Sequence, residues 1–169
     1  RLSLFLFNYT DVNGKYHNLL DPTDPGNAVR CFKYVPDPNA IAQNNGNDVP
    51  VIRYAEILLN RSEALNELNG PNQESVDLLN QVRQRAGVAA YSLGDFSSKD
   101  ALRDALLKER GWEFVAEGKR RMDLIRQGKL VSAAQARGGA SGAKDYMALY
   151  PIPQDEMDAD PNLKQNPGY

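Results

Sequence analysis

The chain has 169 residues, of which 41% are hydrophobic and 25% charged, ordinary proportions for one compact domain with a core. No apolar run reaches the roughly 20 residues of a membrane-spanning helix, and no signal peptide is visible. The net charge of −2 gives no electrostatic footing for nucleic acid.

Residues 1–49 read as strand and loop. The chain opens at Arg1, directly before the strand-like run 2–7, which reads as a cleavage or truncation point with further helices upstream. Leu2, Leu4 and Leu6 alternate with Ser3, Phe5 and Phe7, a short strand apolar on both faces. Asn13-Gly14 is a turn signal before Lys15, Tyr16 and His17. A second strand is expected over 29–35. It holds the single cysteine, Cys31, whose expected place is half-buried, with no disulfide available. Pro22, Pro25, Pro36 and Pro38 mark irregular loops.

Residues 50–130 are helical in pattern. Asp48 is placed to cap a first helix, with Pro50 in its first turn. Val51, Ala55, Leu58, Ser62 and Leu65 form one stripe; Tyr54, Ile57, Leu58, Ala64 and Leu68 form a second. A helix apolar on two sides is sandwiched between neighbours. Asn69-Gly70-Pro71 ends it, and a second helix runs over about 73–86, with Val76, Leu79 and Val82 inward and Gly87 as its stop. One such hairpin cannot bury both faces alone, so partner helices are required. Ser97-Ser98 caps a third helix carrying Ala101, Leu102, Ala105 and Leu106, and Trp112 is expected in the core. A short helix spans 120–126. Residues 131–169 read as an Ala/Gly/Ser-rich loop and an extended, Pro-rich tail.

Catalytic motifs are missing from the string. His17 is the single histidine, in a turn-rich segment where a surface role is expected. No nucleophile elbow, phosphate loop or zinc-binding HExxH occurs. No metal site and no cofactor are expected; residues 11–14 lack the spacing and distal Glu of a calcium loop. Glu109, Glu113 and Glu117 recur every four residues on one side of a helix, unlike two carboxyls facing across a cleft. With Arg53, Glu56, Arg121, Asp123 and Arg126 they read as one interlocked charge network that sets how helices meet. The candidate ligand-binding residues are Tyr9, Tyr16, Asn18 and Tyr34, because sugar rings stack on aromatic faces while amides bond hydroxyls. Each alone more often packs.

Several stretches resemble the SusD/RagB family. They are VPVIRYAEILLNRSEAL at 49–65, LNQVRQRAG at 79–87, ERGWEF at 109–114, EGKRRMDLIR at 117–126, YPIPQDEM at 150–157 and QNPGY at 165–169. The resemblance runs from about residue 29 to the end; the first 28 residues match no motif. Gly111 stands where a bulkier residue is usual, and Arg61 and Ser62 where an aromatic or Ala is common. The resemblance implies a mainly α fold of tetratricopeptide-like hairpins with loop-rich and short-strand decoration. It implies a non-enzymatic surface lipoprotein of the outer membrane that captures oligosaccharide, polysaccharide or another nutrient beside a SusC-like TonB-dependent barrel. The chain would be the carboxy-terminal part, with the lipid anchor on the amino-terminal part. A helical-repeat scaffold that binds only protein is the alternative.

Overall fold

The computed structural model describes residues 2–25, 28–34, 37–41, 45–137 and 142–169. These form two compact units, Arg1–Gly118 and Lys119–Tyr169. The fold is mainly helical, with short strands near the amino terminus.

In the first unit a 3-10 turn, Leu2–Leu4, leads into β1 (Phe5–Leu6), β2 (Asn8–Thr10), β3 (Tyr16–Asn18) and β4 (Arg30–Cys31). The strand expected over 2–7 is thus only two residues long, and the one expected over 29–35 keeps only Arg30 and Cys31; Val35 lies outside the described residues. β1 pairs antiparallel with β4, Phe5 opposite Cys31. With two-residue strands, one edge of Cys31 is left open and its thiol is exposed rather than half-buried. β2 and β3 form a hairpin with Tyr9 opposite His17 and Thr10 opposite Tyr16. The Asn13-Gly14 turn closes it: Gly14 takes φ +79°, and Asp11 Oδ1 accepts the N–H groups of Asn13 and Lys15 at 2.8 and 2.9 Å.

Three helices carry the core: α1 (Tyr54–Asn69), α2 (Gln73–Arg85) and α3 (Lys99–Glu113). Asn72 and Ser75 form a capping box on α2, and the Ser98 hydroxyl accepts the Ala101 N–H on α3. Leu58, Leu59, Val76, Leu79, Val82, Leu102, Leu106 and Phe114 pack in one cluster. Small polar residues let α1 approach its neighbours: Ser62 donates to the Ser75 carbonyl at 2.6 Å, and Asn66 to the Lys99 carbonyl at 2.9 Å.

α1 starts later than the pattern suggested. Asp48 and Pro50 lie outside it, and Arg53 precedes it in extended conformation without a side-chain cap. Arg53 is held instead by acids at the end of α3, which draws its backbone out of the helix. Only one of the two expected stripes is covered. Ala55, Leu58 and Ser62 are buried, but Tyr54, Ile57 and Leu68 are exposed. Val51, from the first stripe, is exposed because it precedes the helix.

The second unit holds α4 (Arg120–Arg126), α5 (Leu130–Gln135), a 3-10 turn at Asp145–Ala148, and α6 (Gln154–Ala159). The expectation of loop and extended tail is corrected twice. Leu130, Ala133 and Ala134 favour a helical turn before the glycines. Pro153 with Asp155 and Glu156 starts α6, the acids lying at the positive end of the helix. Residues 138–141 of the expected loop lie outside the described residues. The terminal motifs bind each other. The Gln165 amide bonds both the N–H and the carbonyl of Ile152, at 2.8 and 2.9 Å. Asn166 donates to the Tyr150 carbonyl at 2.7 Å, and Tyr169 Oη to the Leu149 carbonyl at 2.9 Å. No helix among the described residues is long and apolar enough to cross a membrane.

Candidate functional site

The hairpin sorts the expected ligand-binding residues by strand alternation. His17 points inward and is only 8% exposed, which corrects its expected surface place. Its ring stacks on Tyr9 with centroids 4.9 Å apart and planes 16° off parallel, and the Arg30 guanidinium lies 5.1 Å from the Tyr9 ring centre. Tyr9 is therefore committed within the fold. Tyr16 and Asn18, on either side of His17 in β3, point outward, with Tyr16 60% exposed. Asn18 is exposed, and its Oδ1 accepts the Leu20 N–H at 3.2 Å. Tyr34 is half-buried beyond β4. The hairpin so brings Tyr16 and Asn18 together, while Tyr9 serves beneath them.

A second set of groups lies at the end of α3. Glu109 is fully buried and bonds Arg83 Nη1 at 2.8 Å. Arg83 also donates to the Ala89 carbonyl and stacks 4.0 Å from the Tyr91 ring centre. Glu113 pairs with Arg53 at 2.7 Å and with Arg85. Glu117 accepts a forked pair from Arg53 and a bond from Lys33. Glu117 does not continue the helical row of Glu109 and Glu113. α3 stops at Glu113, and a turn with Ala116 at φ +63° swings Glu117 back toward Arg53. Burial pushes the Glu113 and Glu117 carboxyls up, but Arg53 with Arg85, and Arg53 with Lys33, outweigh it and hold both below the ordinary carboxylate range. Burial lowers Arg53 in turn, and its bonds to Glu117 and Glu113 more than restore it. Glu56 faces Arg110 at 3.8 Å, and Arg110 donates to Asn60 Oδ1 at 2.7 Å.

The expected network is redrawn in the second unit. Asp123 and Arg126 pair along α4 at 3.0 Å. Arg121, expected among acids, instead donates to the carbonyls of Met147 and Ala148 at 3.2 and 3.0 Å and lies 4.2 Å from the Tyr150 ring centre. Its position in α4 faces the 3-10 turn rather than a carboxylate.

Three things escaped the sequence reading. Lys33 and Arg85 join the Glu113–Glu117 cluster from distant segments. Arg83 is buried, a fact hinted at by its place seven residues after Val76 on the inward face of α2. Trp112 is 51% exposed rather than in the core. The inward face of α3 passes through Leu102, Leu106, Glu109 and Glu113, and Phe114 is the aromatic that fills the core. Trp112 borders an open apolar groove of about 700 Å³ with Phe5, Val88 and Val115. Among the described residues no group of three or more His, Cys, Asp or Glu is placed to hold a metal ion.

A sequence model of the SusD family matches residues 20–169, beginning upstream of the first recognisable motif. SusD-like protein P38 of Formosa agariphila is 30% identical over 160 residues, covering 91% of this chain and 31% of the relative. Starch-binding protein SusD of Bacteroides thetaiotaomicron is 30% identical over 155 residues, covering 87% of this chain and 26% of the relative. Among solved structures, surface glycan-binding protein A of Bacteroides uniformis superposes with a TM-score of 0.66 at 29% identity, over 95% of this chain and 36% of that one. A laminarin-binding SusD-like protein superposes with a TM-score of 0.62 at 28% identity, over 93% of this chain and 32% of that one. The chain thus spans about a third or less of the curated relatives it matches. With a family match over most of its length and a helical core of the same fold, the chain belongs to the SusD family.

Proposed function

We propose that the chain is the carboxy-terminal part of a non-catalytic carbohydrate-binding protein that captures glycan at the outer-membrane surface for a SusC-like TonB-dependent transporter. The observation that carries the reading is the likeness to proteins named for binding starch, laminarin and surface glycan. The geometry of the acids supports a binding role. Glu113 and Glu117 are tied to arginines and lysine and held as carboxylates, whereas a glycosidase acid must keep a proton. Tyr16 and Asn18 are the proposed contacts from this part of the protein, one a stacking face and the other an amide. Tyr34 is a secondary candidate, and Tyr9 supports rather than touches. The lipid anchor is assigned to the part of the relatives' length that this chain does not span.

The test is affinity electrophoresis and calorimetry on the full-length protein against a polysaccharide panel. Tyr16→Ala is expected to weaken binding to the recognised glycan on the order of tenfold, the worth of one aromatic stack. Absence of binding to every glycan, with intact binding to a barrel partner, would remove the capture role. A protein-binding scaffold is the second reading, favoured by the exposed Tyr54, Ile57 and Leu68 on α1. Binding of a protein partner that is lost in Ile57→Asp, in a full-length protein that binds no glycan, would support that reading.

A further inference from the structure

His17 is the single histidine of the chain, and both of its ring nitrogens face carboxylates. Nδ1 lies 2.8 Å from Asp24 Oδ1, and Nε2 lies 3.5 Å from Asp11 Oδ2. A neutral imidazole has one N–H and can serve only one of them; the imidazolium serves both. Each carboxylate also holds backbone. Asp11 Oδ1 accepts from Asn13 and Lys15 in the hairpin turn, and Asp24 Oδ2 accepts from Asn18 at 3.0 Å. One face of the ring stacks on Tyr9, which favours the plane in which both nitrogens point at carboxylates.

We propose that His17 is a proton-operated clasp on the β2–β3 hairpin: as imidazolium it ties the turn to the following loop through Asp11 and Asp24, and on deprotonation it releases Asp11 and loosens the turn. The neutral ring keeps its proton on Nδ1 for the closer Asp24. A lone pair on Nε2 then faces the Asp11 carboxylate, and an attraction becomes a repulsion. Among the described residues two cations lie near by, and Asp21 lies close enough to Asp24 to feel its charge. Lys15 in the turn works against the charged ring, and Arg30 lies over Tyr9. In agreement, the Asp24 bond raises His17 above its ordinary 6.5, against the effect of burial and with help from Asp11. Asp11 is held down chiefly by the Lys15 N–H. A raised histidine stabilises fully below 6.5 and ceases to do so as pH rises through its value in the folded protein. The clasp is therefore closed in mild acid and opens toward the alkaline side. It operates whether or not Tyr16 and Asn18 meet a ligand.

One histidine makes the test direct. The imidazole Cε1 proton of the full chain is followed by NMR from about pH 5 to about pH 9. Amide exchange at Asn13, Lys15 and Asn18 is measured over the same range, as protection relative to intrinsic rates. His17 is expected to titrate above 6.5. Protection at Asn13 and Lys15 should fall several-fold with the same midpoint, while α1–α3 stay unchanged. Asp24→Asn should lower the His17 midpoint and carry the loss of protection with it. His17→Gln should make protection independent of pH across this range. Titration at or below 6.5, or protection at Asn13 and Lys15 that stays flat through the titration, overturns the clasp. If His17→Gln unfolds the hairpin, the paired shift in Asp24→Asn decides alone.

Discussion

Arg53 and Glu117 meet in a forked ion pair, Nε to Oε2 and Nη2 to Oε1 at 2.8 Å each, although 64 residues separate them. The same guanidinium reaches the carboxylate and the carbonyl of Glu113 and lies 4.9 Å from the Phe114 ring centre. One side chain thereby fastens the start of α1 to the end of α3. Lys33, beyond β4, holds the same end of α3, donating to the Glu113 and Val115 carbonyls.

Removing that side chain leaves two mostly buried carboxylates short of partners. Arg53→Ala is expected to destabilise the protein by about 2–3 kcal/mol, the scale of lost bonds between charged groups. Arg53→Lys should recover only part of this, because an ammonium cannot reproduce the fork. Urea midpoints of the three proteins decide it; a midpoint unchanged in Arg53→Ala would mean that solvent already serves these acids.

The same pair predicts acid sensitivity. Glu117 is depressed from 4.5: burial alone would raise it, and the bonds from Arg53 and Lys33 reverse the sign. Its contribution is present above 4.5 and disappears as pH falls through the lower value of the folded state. Glu113 behaves alike. Stability measured across this acid range should therefore fall less steeply in Glu117→Gln than in the parent, even though the variant starts lower at neutral pH.

Arg121 provides a contrast, because its partners are carbonyls and a ring. Arg121→Ala should loosen the second unit by about 1–2 kcal/mol, from lost carbonyl bonds and the stack on Tyr150. Its deficit should not vary through the range where Glu117 titrates. Limited proteolysis around 144–150, faster in the variant at every pH tested, is the expected readout.

Gly168 is a position of close approach. It takes φ +100°, and a Cβ there would collide with the ring of Tyr146, which packs edge-on to Tyr169. Gly168→Ala should displace the terminal turn at a penalty on the order of 1–3 kcal/mol. The Tyr169 bond to Leu149 should be lost with it, read as faster carboxypeptidase trimming of the tail. A tail trimmed at the parent rate would show that the Tyr146 ring yields instead.

Local signals account for what was readable in advance. The α1–α2 hairpin followed from apolar spacing and from Gly70 and Gly87, because helix periodicity and left-handed stops are properties of neighbouring residues. The β2–β3 turn followed from Asn13-Gly14 for the same reason. The sequence pattern does not show α5 and α6, because each is only six residues long, too short for a period to stand out. The outward place of Tyr16 and Asn18 needs only the alternation of a strand, but the commitment of Tyr9 needed Arg30 and His17 in position.

The order of motifs in the sequence alone determined the family and the helical class, since each motif is a contiguous string whose local preferences and chemistry travel with it. Tertiary structure decided the partners. Arg53 could have met any of several acids, Arg121 turned from carboxylates to carbonyls, His17 went inward between two aspartates, and Trp112 came out to the surface. Charge attraction and burial depend on distances set by how helices and turns pack, and residues up to 82 positions apart in the chain acquire those distances only when it folds.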